Sequence, residues 1–360
     1  MKRFLAMILA LALCLGLCAC GGGSATEDTT PTEPTVEKVE DDGVMRILVI
    51  GHSLGMDAVY LLPNVAMNEG LTDLEIGLLY HSGCSTMMHA EYLAANAKQY
   101  AYYEFTAGQD TTWRRADCNG DFSPAAPGQA NDKYIEDGSI AQTMEFALQR
   151  RDWDIIVLQC STSEAPGVVP VTSKHYLDPA NIQKIMDYTK EKDIEPATAP
   201  KYAWSMVWSL PNDNSLLNEQ RRTYLETYFN NEMEMYEHSI AAFQEQILPN
   251  FSFDYILPMA TAMQNAKSSA FTARDLYRDF IHGTDYSRVM AAYVWYCGIT
   301  GTDIKDCKLD PIPYDNLLDK SYGMLKKPME LTQQQKDILV ESVSNAFANP
   351  YALTPSQFTK

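Results

Sequence analysis

Apolar residues along the chain gather in short runs, and stretches of helical period separate them, a rhythm that predicts an α/β fold. Met45-Arg46-Ile47-Leu48-Val49-Ile50 is almost continuously apolar, as a strand buried on both faces must be. Helical period follows from Asp57 to Asn68, then a second strand from Leu74 to Tyr80. A helix from Ile140 to Arg150 leads to a third strand, Trp153 to Gln159. Ile182 to Lys190 reads as helix and Lys201 to Trp208 as a fourth strand, closed by Pro211. A long helix from Leu217 to Leu248 precedes a fifth strand, Phe253 to Pro258, and a helix from Asp285 to Tyr296. The last helix starts at Thr332, where Gln335 completes a capping box. Five strands joined by helices imply a five-stranded parallel sheet covered on both faces, a three-layer α/β/α sandwich. One segment breaks the rhythm: Gln99 to Ala116, with Tyr100, Tyr102 and Tyr103 ahead of Ala107-Gly108-Gln109-Asp110, predicts an inserted β-hairpin.

The N-terminus has a different character. Lys2 and Arg3 precede an apolar run from Phe4 to Leu17 that is short for a membrane span. Leu17-Cys18-Ala19-Cys20, followed by three glycines, resembles a bacterial lipoprotein signal. The resemblance implies a signal over residues 1–19, a lipid on Cys20, and an extracytoplasmic protein anchored to the cell membrane. Residues 20–43, rich in Gly, Thr, Pro and acids, read as a flexible acidic linker, which leaves 44–360 as one domain ending in a helix. Of eight cysteines, two lie in the signal and Cys20 takes the lipid, so an odd number remains and cannot all pair within the chain. The net charge of −19 argues against a nucleic-acid partner, whose phosphates it would repel.

The candidate chemistry begins directly after the first strand. Gly51-His52-Ser53-Leu54-Gly55 satisfies G-x-S-x-G, a sharp strand-to-helix turn that presents a serine hydroxyl near the N–H groups of a helix start. In the α/β-hydrolase fold several strands precede that serine, and residues 21–43 do not read as strands. Among six histidines, only His282 has an aspartate three residues before it, in Asp279-Phe280-Ile281-His282 after the fifth strand. Serine after the first strand with D-x-x-H near the C-terminal end resembles the SGNH, or GDSL, hydrolases. Trp153 to Gln159 and Pro258 to Ala266 resemble a divergent, largely uncharacterised bacterial branch of that superfamily.

The resemblance implies an SGNH/flavodoxin-like sheet and a serine esterase that acts on acyl or acetyl esters, on carbohydrates above all. Ser53 is the expected nucleophile, His282 the base and Asp279 its orienting carboxylate. Gly83, after the second strand, matches the oxyanion glycine. The family's Gly-x-Asn-Asp block is missing, and Gln159 stands as the candidate amide donor in its place. Such a mechanism needs no metal or cofactor. The competing expectation is a non-catalytic lipoprotein that binds a glycan or peptide on the same scaffold; a lipase of the α/β-hydrolase type rests on Gly51–Gly55 alone. His52 is expected to pack or hydrogen-bond rather than act as a second base. Trp204 and Trp208 share parity on the fourth strand, as core packing or as a sugar-stacking platform. Asp117-x-Asn119-x-Asp121 starts like a calcium loop, but Phe122 and Gly128 occupy positions that need Gly and Glu, which leaves a solvated turn.

Overall fold

A computed structural model describes residues 42–106, 113–128, 132–194, 199–312 and 329–359. The expected signal, Cys20 and nearly all of the expected linker lie outside the described residues, as does the tip of the expected hairpin. The folded unit runs from Gly43 to Lys360.

Among the described residues its centre is one sheet of nine strands: β1 (Met45–Gly51), β2 (Leu74–Tyr80), β3 (Tyr100–Thr106), β4 (Arg114–Ala116), β5 (Phe122–Pro124), β6 (Ala141–Gln142), β7 (Ile155–Leu158), β8 (Lys201–Ser205) and β9 (Tyr255–Leu257). They lie in the order β5-β4-β3-β2-β1-β7-β8-β9, with β6 beside β3. The pairs β2-β1, β1-β7, β7-β8 and β8-β9 are parallel. β3, β4, β5 and β6 add antiparallel pairing at the β2 edge. The sheet is therefore mixed and nine-stranded, a correction to the five-stranded parallel sheet. β3 and β4 pair antiparallel as the arms of the expected hairpin and join this sheet, while β5 and β6, of three and two residues, are too short to show alternation. Ile47, Leu48, Val49 and Ile50, of both side-chain parities, are all buried, so helices and loops cover both faces of the sheet.

Several helices differ from the pattern in the sequence, each for a local reason. The serine helix starts at Ser53, not Asp57, because His52 adopts an extended conformation and caps it. A second helix, Leu62–Glu69, follows with Pro63 in its first turn. The long helix divides into Glu219–Tyr228 and Glu232–Ala242, continued by a π-turn at Phe243–Ile247. Asn231 forms a new cap by accepting from Glu234 N–H, while the Glu234 carboxylate accepts from Asn230 N–H. The helix expected over Ile140–Arg150 shortens to Met144–Leu148, since β6 takes Ala141–Gln142 and Thr143 caps what is left. The fourth strand ends at Ser205, so Trp208 lies beyond it; Trp204 and Trp208 are both buried and form core rather than a platform. Thr332 and Gln335 exchange both bonds of their capping box, at 3.2 and 2.9 Å. At 117–121 the Asp117 carboxylate accepts from the N–H groups of Asn119 and Asp121, closing a tight turn on itself.

Candidate active site

β1 lies between β2 and β7, all three parallel, so the chain leaves β1 in one direction to form β2 and reaches β7 on the other side. Strand order reverses at β1, and a crevice opens beyond the carboxyl ends of the strands at such a point. Ser53 follows β1 there as the first residue of its helix, where its N–H has no intrahelical acceptor. His52 braces the turn. Its Nδ1 accepts from Leu54 N–H at 3.3 Å, so Nε2 carries the proton and donates to the Cys160 carbonyl at 3.0 Å. Burial lowers its pKa to about 4, which keeps the ring neutral.

The glycines of the G-x-S-x-G turn have a steric cause. A Cβ on Gly51 would lie 2.0 Å from Gln159 Nε2, and one on Gly55 2.2 Å from the same atom. The Gln159 side chain therefore packs under the turn, behind Ser53. Neither end of its amide finds a hydrogen-bond partner among the described residues.

The acid–base pair comes from the loop before the helix Asp285–Thr300. Asp279 Oδ1 accepts from Ile281 N–H at 2.9 Å and His282 N–H at 2.8 Å, which curls the loop into a tight turn. The same carboxylate receives His282 Nδ1–H, at 2.8 Å from Oδ2 and 3.0 Å from Oδ1. Nε2 is then the basic ring nitrogen. Burial alone would raise the Asp279 carboxyl, but the hydrogen bond and charge of His282 and the two backbone donors outweigh it and hold the pKa at about 2.

Asp57 ties this loop to the serine. It lies one turn beyond Ser53 and is fully buried. It accepts from Gly283 N–H at 3.0 Å, from Arg278 at 3.1 and 3.2 Å, and from Arg288 at 2.7 and 2.8 Å. Burial pushes its pKa up, yet the two guanidinium groups outweigh that and keep it below the usual carboxylate range. Trp208 Nε1 holds the loop from the other side through the Ile281 carbonyl, at 2.7 Å.

Ser53, His282 and Gly83 line one cavity of about 260 Å³. Gly83 has a φ of +58°, and a Cβ there would meet nothing within 4 Å, so backbone conformation rather than space calls for glycine. Gln159 does not line this cavity; Ser161, Thr162 and Ser163, just beyond it, do. Buried Glu164 joins the two loops by accepting from Thr86 N–H and Ser161 N–H; burial raises its pKa to about 7.

Lys174, His175 and Arg221 also line the cleft, and no motif in the sequence marks them. His175 Nδ1 lies 2.9 Å from Ser161 Oγ, and burial, then the charges of Lys174 and Arg221, lower its pKa to about 4. For Lys174 and His175 one signal was available: β7 ends at Leu158 and the next helix starts at Pro179, and long connections in compact domains are commonly functional.

Fold and site together define an α/β protein with a serine at the sheet's switch point and a hydrogen-bonded His–Asp pair brought to it from a distant loop. The chain belongs to the DUF4886 family: the model of that domain of unknown function matches residues 134–316. The match includes Gln159, Asp279 and His282 and starts after Ser53 and Gly83. The crystal structure of a DUF4886 family protein from Bacteroides uniformis ATCC 8492, at 1.50 Å resolution, is similar in fold, with a TM-score of 0.63 and 22% identity over 88% of this chain and 100% of that one. No curated protein matches the chain. Among the described residues, no helix is long and apolar enough to cross a membrane.

Proposed function

We propose that the protein is a serine esterase of the SGNH type, acting on acyl or acetyl esters of carbohydrates. The parallel run β2-β1-β7-β8-β9 serves in this reading as the sheet of an SGNH, flavodoxin-like sandwich. One observation carries the reading: Asp279 fixes the His282 tautomer, while His282 and Ser53 line the same cleft. Ser53 Oγ attacks the ester carbonyl as His282 Nε2 takes its proton; the collapsing intermediate expels the alcohol, which regains that proton. Asp279 stabilises the imidazolium between the two transfers. Water then repeats the sequence on the acyl-enzyme. The Ser53 and Gly83 N–H groups face the oxyanion, and each such donor lowers the barrier by about 3 kcal/mol. Gln159 does not line the cleft, so these two N–H groups are the oxyanion donors of this reading. A cavity of about 260 Å³ suits a small acyl group such as acetyl.

The test is hydrolysis of short-chain p-nitrophenyl esters and acetylated glycans by the purified chain. We expect turnover that Ser53→Ala abolishes. A folded protein with no turnover on any ester, or with turnover unchanged in Ser53→Ala, sinks the reading in favour of a glycan- or peptide-binding protein on this scaffold. We further propose that Cys20 anchors the protein outside the cell membrane, from the Leu17–Cys20 pattern; retention of Cys20→Ser on membranes, correctly processed, would count against it.

A further inference from the structure

We infer that the molecule this cleft accepts carries an oxyanion substituent, a carboxylate or a sulfate, held by Arg221 beside the ester. The inference rests on the esterase reading for the bond that breaks, and on the charge of the cleft for the group that is recognised.

The chain has 47 acidic residues against 28 basic ones, yet the cleft holds Arg221 and Lys174 and no carboxylate among its lining residues. Arg221 projects from the start of the helix Glu219–Tyr228 and is half-buried. Its side chain makes one hydrogen bond among the described residues, from Nη1 to Ser163 Oγ at 2.7 Å. Its guanidinium carbon sits 5.9 Å from the centre of the Phe280 ring. No carboxylate of the described residues pairs with it. Glu164, on the same loop as Ser163, is committed to Thr86 and Ser161. His175 supplies no negative charge, being neutral or cationic at any pH of interest.

A half-buried guanidinium without a carboxylate beside it has lost part of its hydration with no opposite charge to offset the loss. Here the surroundings preorganise the charge instead of neutralising it. Tyr224 donates to the Ser163 carbonyl at 3.0 Å, which steadies the residue that in turn steadies Arg221. One donor is taken by Ser163, and the remaining N–H groups of the planar fork suit a two-oxygen acceptor. Phe280 stands between Asp279 and His282 in the chain, so the anion subsite adjoins the general base. Exposed Lys174 adds a second positive charge on the cleft wall.

The test compares three acetyl esters on the purified full chain: acetylated glucose, acetylated glucuronate and acetylated glucose 6-sulfate, followed by acetate release. We expect kcat/KM for at least one acidic sugar to exceed that for glucose by about tenfold or more; the two acidic arms separate carboxylate from sulfate. In Arg221→Gln, which keeps a donor for Ser163, the acidic-to-neutral ratio should fall to near one, and in Lys174→Ala it should fall partway. Equal rates on all three esters, with a ratio insensitive to both variants, overturn the anion subsite and leave the esterase reading standing. If none is cleaved, calorimetric binding of glucuronate and glucose 6-sulfate decides. Binding that Arg221→Gln removes sustains the inference while the esterase reading falls, and no binding overturns it.

Discussion

Gly55 sits inside a helix, where alanine is ordinarily the better residue by about 1 kcal/mol. It is nevertheless confined to hydrogen by the Gln159 amide, 2.2 Å from where a Cβ would be. Gly55→Ala should therefore destabilise the fold by about 1–3 kcal/mol, the usual cost of overpacking. Gln159→Ala in the same chain should restore most of the loss, because it removes the atom in the way and a buried amide without partners. Urea unfolding of the two single variants and the double variant measures the coupling; additive losses would show that Gln159 is not what dictates the glycine. The motif thus reads two ways at once, as a device for exposing serine and as the imprint of a neighbour at the end of β7. Spacing alone reveals the first. The second depends on a contact between residues more than a hundred positions apart, which periodicity does not report.

At the scale of elements, one carboxylate joins three pieces of chain. Asp57 belongs to the serine helix, Arg278 and Gly283 to the histidine loop, and Arg288 to the helix that follows. Asp57→Asn leaves Arg288 buried beside a neutral amide, and breaking a buried pair in this way costs about 3–5 kcal/mol. We expect a loss of that size in denaturant unfolding, together with a fall in kcat/KM as the His282 loop loosens against Ser53; unchanged stability would remove Asp57 from this role. The D-x-x-H spacing and the strand before Ser53 were legible because both are short-range patterns. So was the capping box at Thr332. The anchor was not, since Asp57 in the sequence looks like an early helix residue. The break at Asn231 hid for a related reason: the polar face of 217–248 continues through it, and only the side-chain cap shows that the helix restarts. The pair β3 and β4 was legible as the hairpin of 99–116, while β5 and β6 were invisible because partners, not their own pattern, make them strands.

The whole molecule carries its buried titrations together. Burial lowers His52 and His175 from an ordinary 6.5 to about 4 and His89 to about 3, so the unfolded chain binds three protons below pH 6.5 that the folded chain refuses. Glu164 works in the opposite sense: raised from 4.5 to about 7, it holds a proton in the folded chain that the unfolded chain has released. Three against one leaves folding favoured by rising pH, and stability should drop as pH falls from about 6.5 towards 4. The steepest slope is about 2–3 kcal/mol per pH unit. Thermal melts between pH 7.5 and 4.5 check this, and a Tm that holds or rises on acidification contradicts it. The ends of the sheet carry a further consequence. β5 and β9 terminate the strand order, each only three residues long, and β5 closes on Pro124, which has no N–H to offer. Among the described residues, these short edges offer little for a strand of a neighbouring copy to pair with, the route by which exposed sheets polymerise. With a formal charge of −19 on every molecule, crowding these proteins together should set them repelling one another long before any cross-β seam could form.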